Sequence, residues 1–152
     1  MEFELNSFKN WWFNMTLSLV SITIPTLNSA KTLDKCLKSI AESTYSNIEV
    51  IVVDGGSLDN TLEIAEKYGA RVVRCDWKLL GARYVGFRES RGDYVLMLDA
   101  DQVLEPTTVA RAVDFLERYG YDMLVLEEQS LSNKGLLGEL IQCDRLLIHQ
   151  AV

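Results

Sequence analysis

Between Ser18 and Leu126, short apolar runs rich in β-branched residues alternate with stretches of helical period. That alternation predicts a βαβα series built on a parallel sheet. Leu19 to Pro25 reads as the first strand, stopped by its proline. From Ala30 to Glu42, Leu33, Cys36, Leu37 and Ile40 recur on one face while Lys31, Asp34, Lys35 and Lys38 take the other, the mark of an amphipathic helix. Ile48 to Val53 is a nearly unbroken apolar run, as expected of a strand covered on both sides. A helix follows over Thr61 to Tyr68, with Asn60 and Glu63 at capping-box spacing and Gly69 at its end. Arg71 to Cys75 predicts a short third strand. Leu79 to Ser90 reads as helix, although Gly81 and Gly86 each weaken that reading by about 1 kcal/mol relative to alanine. Tyr94 to Leu98 is the fourth strand and runs into Asp99. Pro106 suits the first turn of a helix ending at Tyr119, with Val109, Val113 and Leu116 inward and Gly120 past its end. Met123 to Leu126 predicts a fifth strand. Beyond a polar stretch from Ser130 to Gly138, Leu140 to Gln150 reads as one more helix.

A chain of 152 residues, 48% hydrophobic and 24% charged, has the balance of one packed core. Three regions are expected: a poorly ordered leader over 1–17, an α/β domain over 18–128, and the truncated start of a further region over 129–152. Trp11, Trp12 and Phe13 in the leader could seat on a membrane surface, but a frayed extension ahead of Met15 is the preferred reading. The net charge of −7 argues against a general attraction to nucleic acid or anionic lipid. An anionic ligand would therefore need a metal, an arginine or a helix N-terminus. Cys36, Cys75 and Cys143 form no paired motif, so neither a disulfide framework nor a zinc site is expected, and a reducing cytoplasmic setting fits. Runs such as Leu17 to Ile24 fall short of the roughly 20 residues of a membrane span.

Ligands of open parallel sheets bind beyond the carboxyl ends of the strands. Thr26 and Asn28 follow the first strand, Asp54 through Asp59 the second, and Asp99 through Asp101 the fourth. Polar turns are ordinary at strand ends, but three clusters on one edge suggest a site. Asp99 and Asp101 can both reach one hard cation, Mg²⁺ or Mn²⁺, which completes its shell with water and phosphate oxygens. A solvated acidic turn is the bland alternative. Asp54-Gly55-Gly56-Ser57-Leu58-Asp59-Asn60-Thr61 is a strand-to-helix turn whose glycines permit close backbone approach and whose helix start offers free N–H groups. Asp54 could accept a hydrogen bond from a nucleobase imide, while Asn60 and Thr61 are read as caps. Arg83 could present its guanidinium to phosphate, though an isolated arginine is more often a surface charge. Trp77 could stack on a ligand or cover the sheet edge, and His149 reads as a helix-surface or packing residue.

Four segments in order carry a resemblance: Val20-Ser-Ile-Thr-Ile-Pro-Thr-Leu-Asn28, Val52-Val-Asp-Gly-Gly-Ser-Leu-Asp-Asn-Thr61, Gly81-Ala-Arg-Tyr-Val-Gly86 and Arg91-Gly-Asp-Tyr-Val-Leu-Met-Leu-Asp-Ala-Asp101. Over residues 18 to 120 the chain resembles the nucleotide-sugar-binding part of family 2 glycosyltransferases. The resemblance implies a Rossmann-like GT-A fold, C-terminally incomplete, with a mostly parallel sheet and helices on both faces. It also implies a UDP- or GDP-linked sugar donor, a divalent metal and inversion at the anomeric carbon. By position, Pro25, Thr26, Asn28, Asp54, Gly55, Ser57, Arg83, Asp99 and Ala100 would line the nucleotide-sugar pocket, and Asp101 with Asp99 would hold Mg²⁺ or Mn²⁺. Gly55 departs from the family, which often has a second acid there. The catalytic base is expected beyond Val152, with Glu127-Glu128 and Asp144-Arg145 at the entrance to the acceptor side. The acceptor would be a glycan or a lipid-linked molecule, with peripheral association at the inner membrane face as an added expectation and no nucleic-acid partner.

Two other functions compete. One is a nucleotide-sugar-binding module without turnover. The other is a phosphatase of haloacid-dehalogenase type, since Met97-Leu-Asp-Ala-Asp-Gln-Val103 imitates its nucleophile loop, but too few residues follow to supply the downstream lysine and acids. A dinucleotide-binding domain is a weaker alternative still, because Pro25-Thr-Leu-Asn28 stands where G-x-G-x-x-G should follow the first strand.

Overall fold

A computed structural model describes residues 17–127 of the chain. Four strands, β1 (Val20–Thr26), β2 (Ile48–Asp54), β3 (Arg71–Arg74) and β4 (Tyr94–Met97), form one parallel sheet in the order β3-β2-β1-β4. Four helices connect and cover them: α1 (Ala30–Ala41), α2 (Thr61–Lys67), α3 (Leu79–Glu89) and α4 (Thr108–Tyr119).

Alternation along β1 explains the two layers. Val20, Ile22 and Ile24 join Leu33, Cys36, Leu37 and Ile40 of α1, Ala65 of α2 and Val109 and Val113 of α4 in the larger core. Fully burying each of its large aliphatic side chains contributes about 1.5–3 kcal/mol. On the opposite face Ile51, Val53, Cys75 and Ala82 form a smaller cluster under α3. There β1 offers Ser21 and Thr23, and Gly86 explains how α3 sits so close: a Cβ at that position would lie 3.0 Å from Thr23 Cβ. The two glycines that weaken the helical pattern of α3 are thus contact points, one on β1 and one on Trp77.

The register aligns the strand ends. Thr26 pairs with Asp54, so β1 and β2 finish level. Thr23 pairs with Met97 across β1 and β4, and Leu98 N–H still donates to Thr23 O at 3.0 Å. Asp99 therefore emerges beside Pro25. The chain winds outward from β1 to β2 and β3, then returns to place β4 on the other side of β1. That reversal makes the carboxyl end of β1 the switch point where a parallel sheet opens a crevice.

Three expectations need correction. Met123 to Leu126 forms no strand; Met123, Leu124 and Leu126 instead line a groove of about 350 Å³ beside β4 and α4. An apolar run has strand propensity, but a strand needs a partner's hydrogen bonds, and this segment makes no ladder. Pro106 lies outside the first turn of α4, ahead of the N-cap Thr107, and its carbonyl accepts from Thr44 N and Oγ1 at 2.8 and 3.0 Å. Asn60 makes no side-chain cap. Asp59 does that work twice: one oxygen accepts from Thr61 N at 3.1 Å at the start of α2, the other from Ala30 N at 3.1 Å at the start of α1. Thr61 Oγ1 also donates to Asp59 and accepts from Ser29 N at 2.8 Å. Among the described residues no helix is long and apolar enough to cross a membrane. The Trp11–Phe13 leader, Glu128, Cys143, Asp144, Arg145, His149 and the helix expected over Leu140 to Gln150 lie outside the described residues.

Candidate functional site

Two loops, 27–29 after β1 and 55–60 after β2, are sewn into one rim. Gly55 N–H donates to Thr26 O at 2.8 Å, Asn28 N–H to Ser57 Oγ at 2.8 Å, and Leu58 N–H to Asn28 Oδ1 at 2.8 Å. Asn28 adopts φ 51°, the left-handed conformation that asparagine tolerates better than other side chains with a Cβ. Its amide thereby faces the neighbouring loop and clasps it through both backbone and side chain.

Asp54 sits under this rim, fully buried. One carboxylate oxygen accepts from Gly56 N and Ser57 N, both at 2.9 Å; the other accepts from Ser57 Oγ at 2.5 Å and Thr26 Oγ1 at 3.2 Å. Burial by itself would raise its pKa, but those donors outweigh burial and hold the carboxyl below its ordinary value. Asp54 is thus an anion inside an Asx-type turn. Thr26 and Ser57 are committed to it. Gly56, at φ 97°, needs to be glycine, whereas Gly55 has an ordinary backbone and a Cβ there would meet Thr26 O at only 3.4 Å.

Across the switch point, Arg83 reaches from α3 to Asp99, its Nη2 lying 2.8 and 3.1 Å from the two carboxylate oxygens. Asp99 is braced at the backbone as well: its N–H donates to Gln102 Oε1 at 2.8 Å, and its carbonyl accepts from Gln102 N at 3.0 Å and from Cys36 Sγ at 3.8 Å. Cys36 is fully buried, and burial with the nearby Asp101 charge pushes its thiol up to about 12. Ala100 is buried, while Asp101 is exposed and forms no salt bridge among the described residues. Arg83 Nε is buried with no hydrogen-bond partner among the described residues.

These residues fit a hard divalent ion in one particular way. Among the described residues no group of three or more His, Cys, Asp or Glu could hold a metal ion by itself. Asp101, and Asp99 through lone pairs not taken by Arg83, would supply one or two oxygens. Substrate phosphates and water would have to supply the rest, which is how Mg²⁺ commonly binds.

The structure therefore brings Thr26, Asn28, Asp54, Gly55 and Ser57 together on one side of the switch point and Arg83, Asp99, Ala100 and Asp101 on the other, with half-buried Pro25 between them. Ser29, Asp59, Thr61, Cys36 and Gln102 brace the same loops, although the sequence read Thr61 as a cap and Cys36 as core. Gln102 braces Asp99 from three residues away, but the roles of Ser29, Asp59, Thr61 and Cys36 depend on contacts between segments about 30 residues or more apart, which no local pattern reports. Two side chains on the rim, Leu27 and Leu58, are apolar and exposed, at 62% and 95%. Glu127 is exposed.

A family model described as Glycosyl transferase family 2 matches residues 21–130. Poly(ribitol-phosphate) beta-N-acetylglucosaminyltransferase TarS of Staphylococcus aureus is 30% identical over 125 residues, covering 76% of this chain and 22% of that protein. A PGL/p-HBAD biosynthesis glycosyltransferase of Mycobacterium tuberculosis is 35% identical over 152 residues, covering 91% of this chain and 59% of that protein. The chain thus spans less than two thirds of the length of these relatives. The crystal structure of S. aureus TarS 1-349 in complex with UDP-GlcNAc is similar at TM-score 0.70 and 28% identity, over 78% of this chain and 36% of that one. Glucosyl-3-phosphoglycerate synthase from Mycobacterium tuberculosis, in complex with Mn²⁺, UDP and glucosyl-3-phosphoglycerate, is similar at TM-score 0.52 and 28% identity, over 62% of this chain and 38% of that one. With motifs, fold and family model agreeing over most of its length, the chain belongs to glycosyl transferase family 2.

Proposed function

We propose that this chain carries the donor-binding part of a transferase that moves a sugar from a nucleoside-diphosphate sugar to an acceptor hydroxyl, with metal assistance and inversion. The observation that carries the reading is the convergence at one switch point of a rigid double-loop rim and an Arg83–Asp99 pair beside the open carboxylate of Asp101. UDP is favoured over GDP as the carrier, because the UDP and UDP-GlcNAc complexes belong to structures at 28% identity. The acceptor is a glycan or a lipid-linked molecule.

In this reading Asp101, with Asp99, would hold Mg²⁺ or Mn²⁺, which would supply positive charge against the departing diphosphate. Arg83 fixes Asp99 beside the place the nucleotide would take. Asp54 acts from beneath: it sets the turn so that the backbone of 55–58 and the side chains of Leu27 and Leu58 shape the wall against which the base packs. The base and ribose are held before the acceptor arrives, so the chemical step draws on orientation and on charge placed in advance. The carboxylate that takes the acceptor's proton is not among the residues assigned. Asp99 is a poor phosphatase nucleophile, because both of its oxygens face the Arg83 guanidinium.

A thermal-shift screen of UDP-, GDP- and dTDP-sugars with and without Mn²⁺ tests the reading, because ligand binding raises the melting temperature by mass action. Stabilisation by a UDP-sugar only when Mn²⁺ is present is the expected outcome. No shift with any nucleotide sugar would remove it. The competing reading is a binding module without turnover. Donor binding without transfer or donor hydrolysis would select that one.

A further inference from the structure

Helix α3 buries the wrong residues for an ordinary surface helix. Its face toward the sheet is made of the small Ala82 and Gly86, while Leu80, Tyr84 and Phe87 recur at helical spacing along its outer side at 80%, 52% and 56% exposure. Trp77, one turn ahead, is 62% exposed. A water-facing helix normally shows the reverse pattern.

Charge sharpens what this face would meet. Seven of the chain's fifteen basic residues lie between Lys67 and Arg91, against two acidic ones, so this stretch is net +5 in a chain of net −7. Of these, Lys67 is paired with Asp34, Arg71 with Glu89 and Arg83 with Asp99. Arg74, Lys78 and Arg88 are exposed and form no salt bridge among the described residues, and the Arg88 guanidinium lies 6.0 Å from the centre of the Tyr84 ring. Overall acidity argued against a general attraction to anionic lipid, but screening confines such forces to about 8 Å at physiological salt, so a local patch decides.

We propose that the outer face of α3 is a docking surface for an anionic lipid bilayer. Trp77, Leu80, Tyr84 and Phe87 would enter the headgroup boundary while Arg74, Lys78 and Arg88 face lipid phosphates, the pairing of aromatic and basic groups that interfacial helices use. Because α3 begins at Leu79, just past the carboxyl end of β3, its first turn lies on the rim edge of the sheet that bears the candidate site. The surface does not depend on sugar transfer.

The test is flotation of the full 152-residue chain with phosphatidylcholine vesicles, with and without phosphatidylglycerol. The Trp11→Phe/Trp12→Phe background leaves Trp77 as the sole tryptophan of the chain's three. Binding only to the anionic vesicles, weakened by salt, with Trp77 fluorescence quenched by brominated lipid, is the expected result. Lys78→Glu/Arg88→Glu should weaken partitioning at least about tenfold, and Leu80→Ser/Tyr84→Ser should abolish quenching, both with unchanged circular dichroism. Equal binding to neutral vesicles, no binding, or anionic binding with Trp77 unquenched would overturn the proposal. So would concentration-dependent self-association that Leu80→Ser abolishes in a chain that ignores vesicles, which would assign the face to a second copy.

Discussion

Replacing Asp54 probes whether the rim is held from beneath by a buried anion. Asp54→Asn keeps the shape, and the amide can turn its oxygen to Gly56 N and Ser57 N while its NH₂ faces hydroxyls of Thr26 and Ser57 that reverse their roles. What disappears is the charge assistance on four hydrogen bonds. Bonds to charged groups contribute about 1.5–3 kcal/mol against about 1 for neutral ones, so allowing for incomplete additivity the loss is about 2–3 kcal/mol. Asp54→Ala leaves two buried N–H groups and two hydroxyls short of a partner, and about 3–4 kcal/mol is expected. With a urea m-value of about 2 kcal/mol/M, the midpoint should fall by about 1–1.5 M for Asn and up to about 2 M for Ala. The pH dependence provides an internal check. The folded pKa of Asp54 lies below its unfolded value near 3.9. The stability it contributes is therefore complete above about pH 4 and lost as pH falls through the folded pKa. The gap between wild type and Asp54→Asn should stay constant from pH 8 to 5 and narrow below 4. Asp59, Glu49 and Asp34 are also lowered, but they cancel in that difference. A midpoint unchanged in Asp54→Ala would refute the buried-anion account.

Asn28→Ala removes the acceptor for Leu58 N–H and puts alanine at a left-handed φ, so a loss of about 1–2 kcal/mol is expected in the same urea titration, with faster amide exchange at Leu58. Gly92→Ala places a Cβ 2.6 Å from Leu19 O and 2.7 Å from Ser21 N, both backbone atoms, and should destabilise by more than about 2 kcal/mol; an unchanged melting temperature would contradict that close approach. Cys36, with its thiol pushed up to about 12, should resist iodoacetamide at pH 8 in the native chain and react once urea unfolds it, as read by peptide mapping.

The skeleton was legible because it rests on local repetition. Strands β1 and β2 and helix α1 fall within a residue of the boundaries read from apolar periodicity, and Leu33, Cys36, Leu37 and Ile40 are all buried as their spacing required. That the polar loops would gather at the carboxyl ends of the strands followed from strand alternation, whereas the order β3-β2-β1-β4 that makes the switch point did not. What stayed hidden lies between loops. Nothing local distinguishes an Asp54 that offers its carboxylate to a ligand from one saturated by three donors of its own turn and a fourth, Thr26 Oγ1, from β1. Asp59 looks like a cap for the helix that follows it, yet it also caps α1, about thirty residues earlier. Met123 to Leu126 has the composition of a strand but makes no ladder among the described residues. Gly81 and Gly86 read as weaknesses in a helix, and only packing shows that larger residues would collide with Trp77 and Thr23.

The account turns on Asp101 as the open carboxylate through which a cation joins a nucleoside diphosphate to this chain. Calorimetric titration of UDP into the protein with Mn²⁺ present, repeated on Asp101→Ala, measures that linkage directly. The prediction is saturable heat for the wild-type chain, lost when Mn²⁺ is withheld and at least about tenfold weaker in Asp101→Ala, since one charged ligand is worth about 1.4 kcal/mol or more. Identical metal-dependent titrations for the two proteins would contradict it.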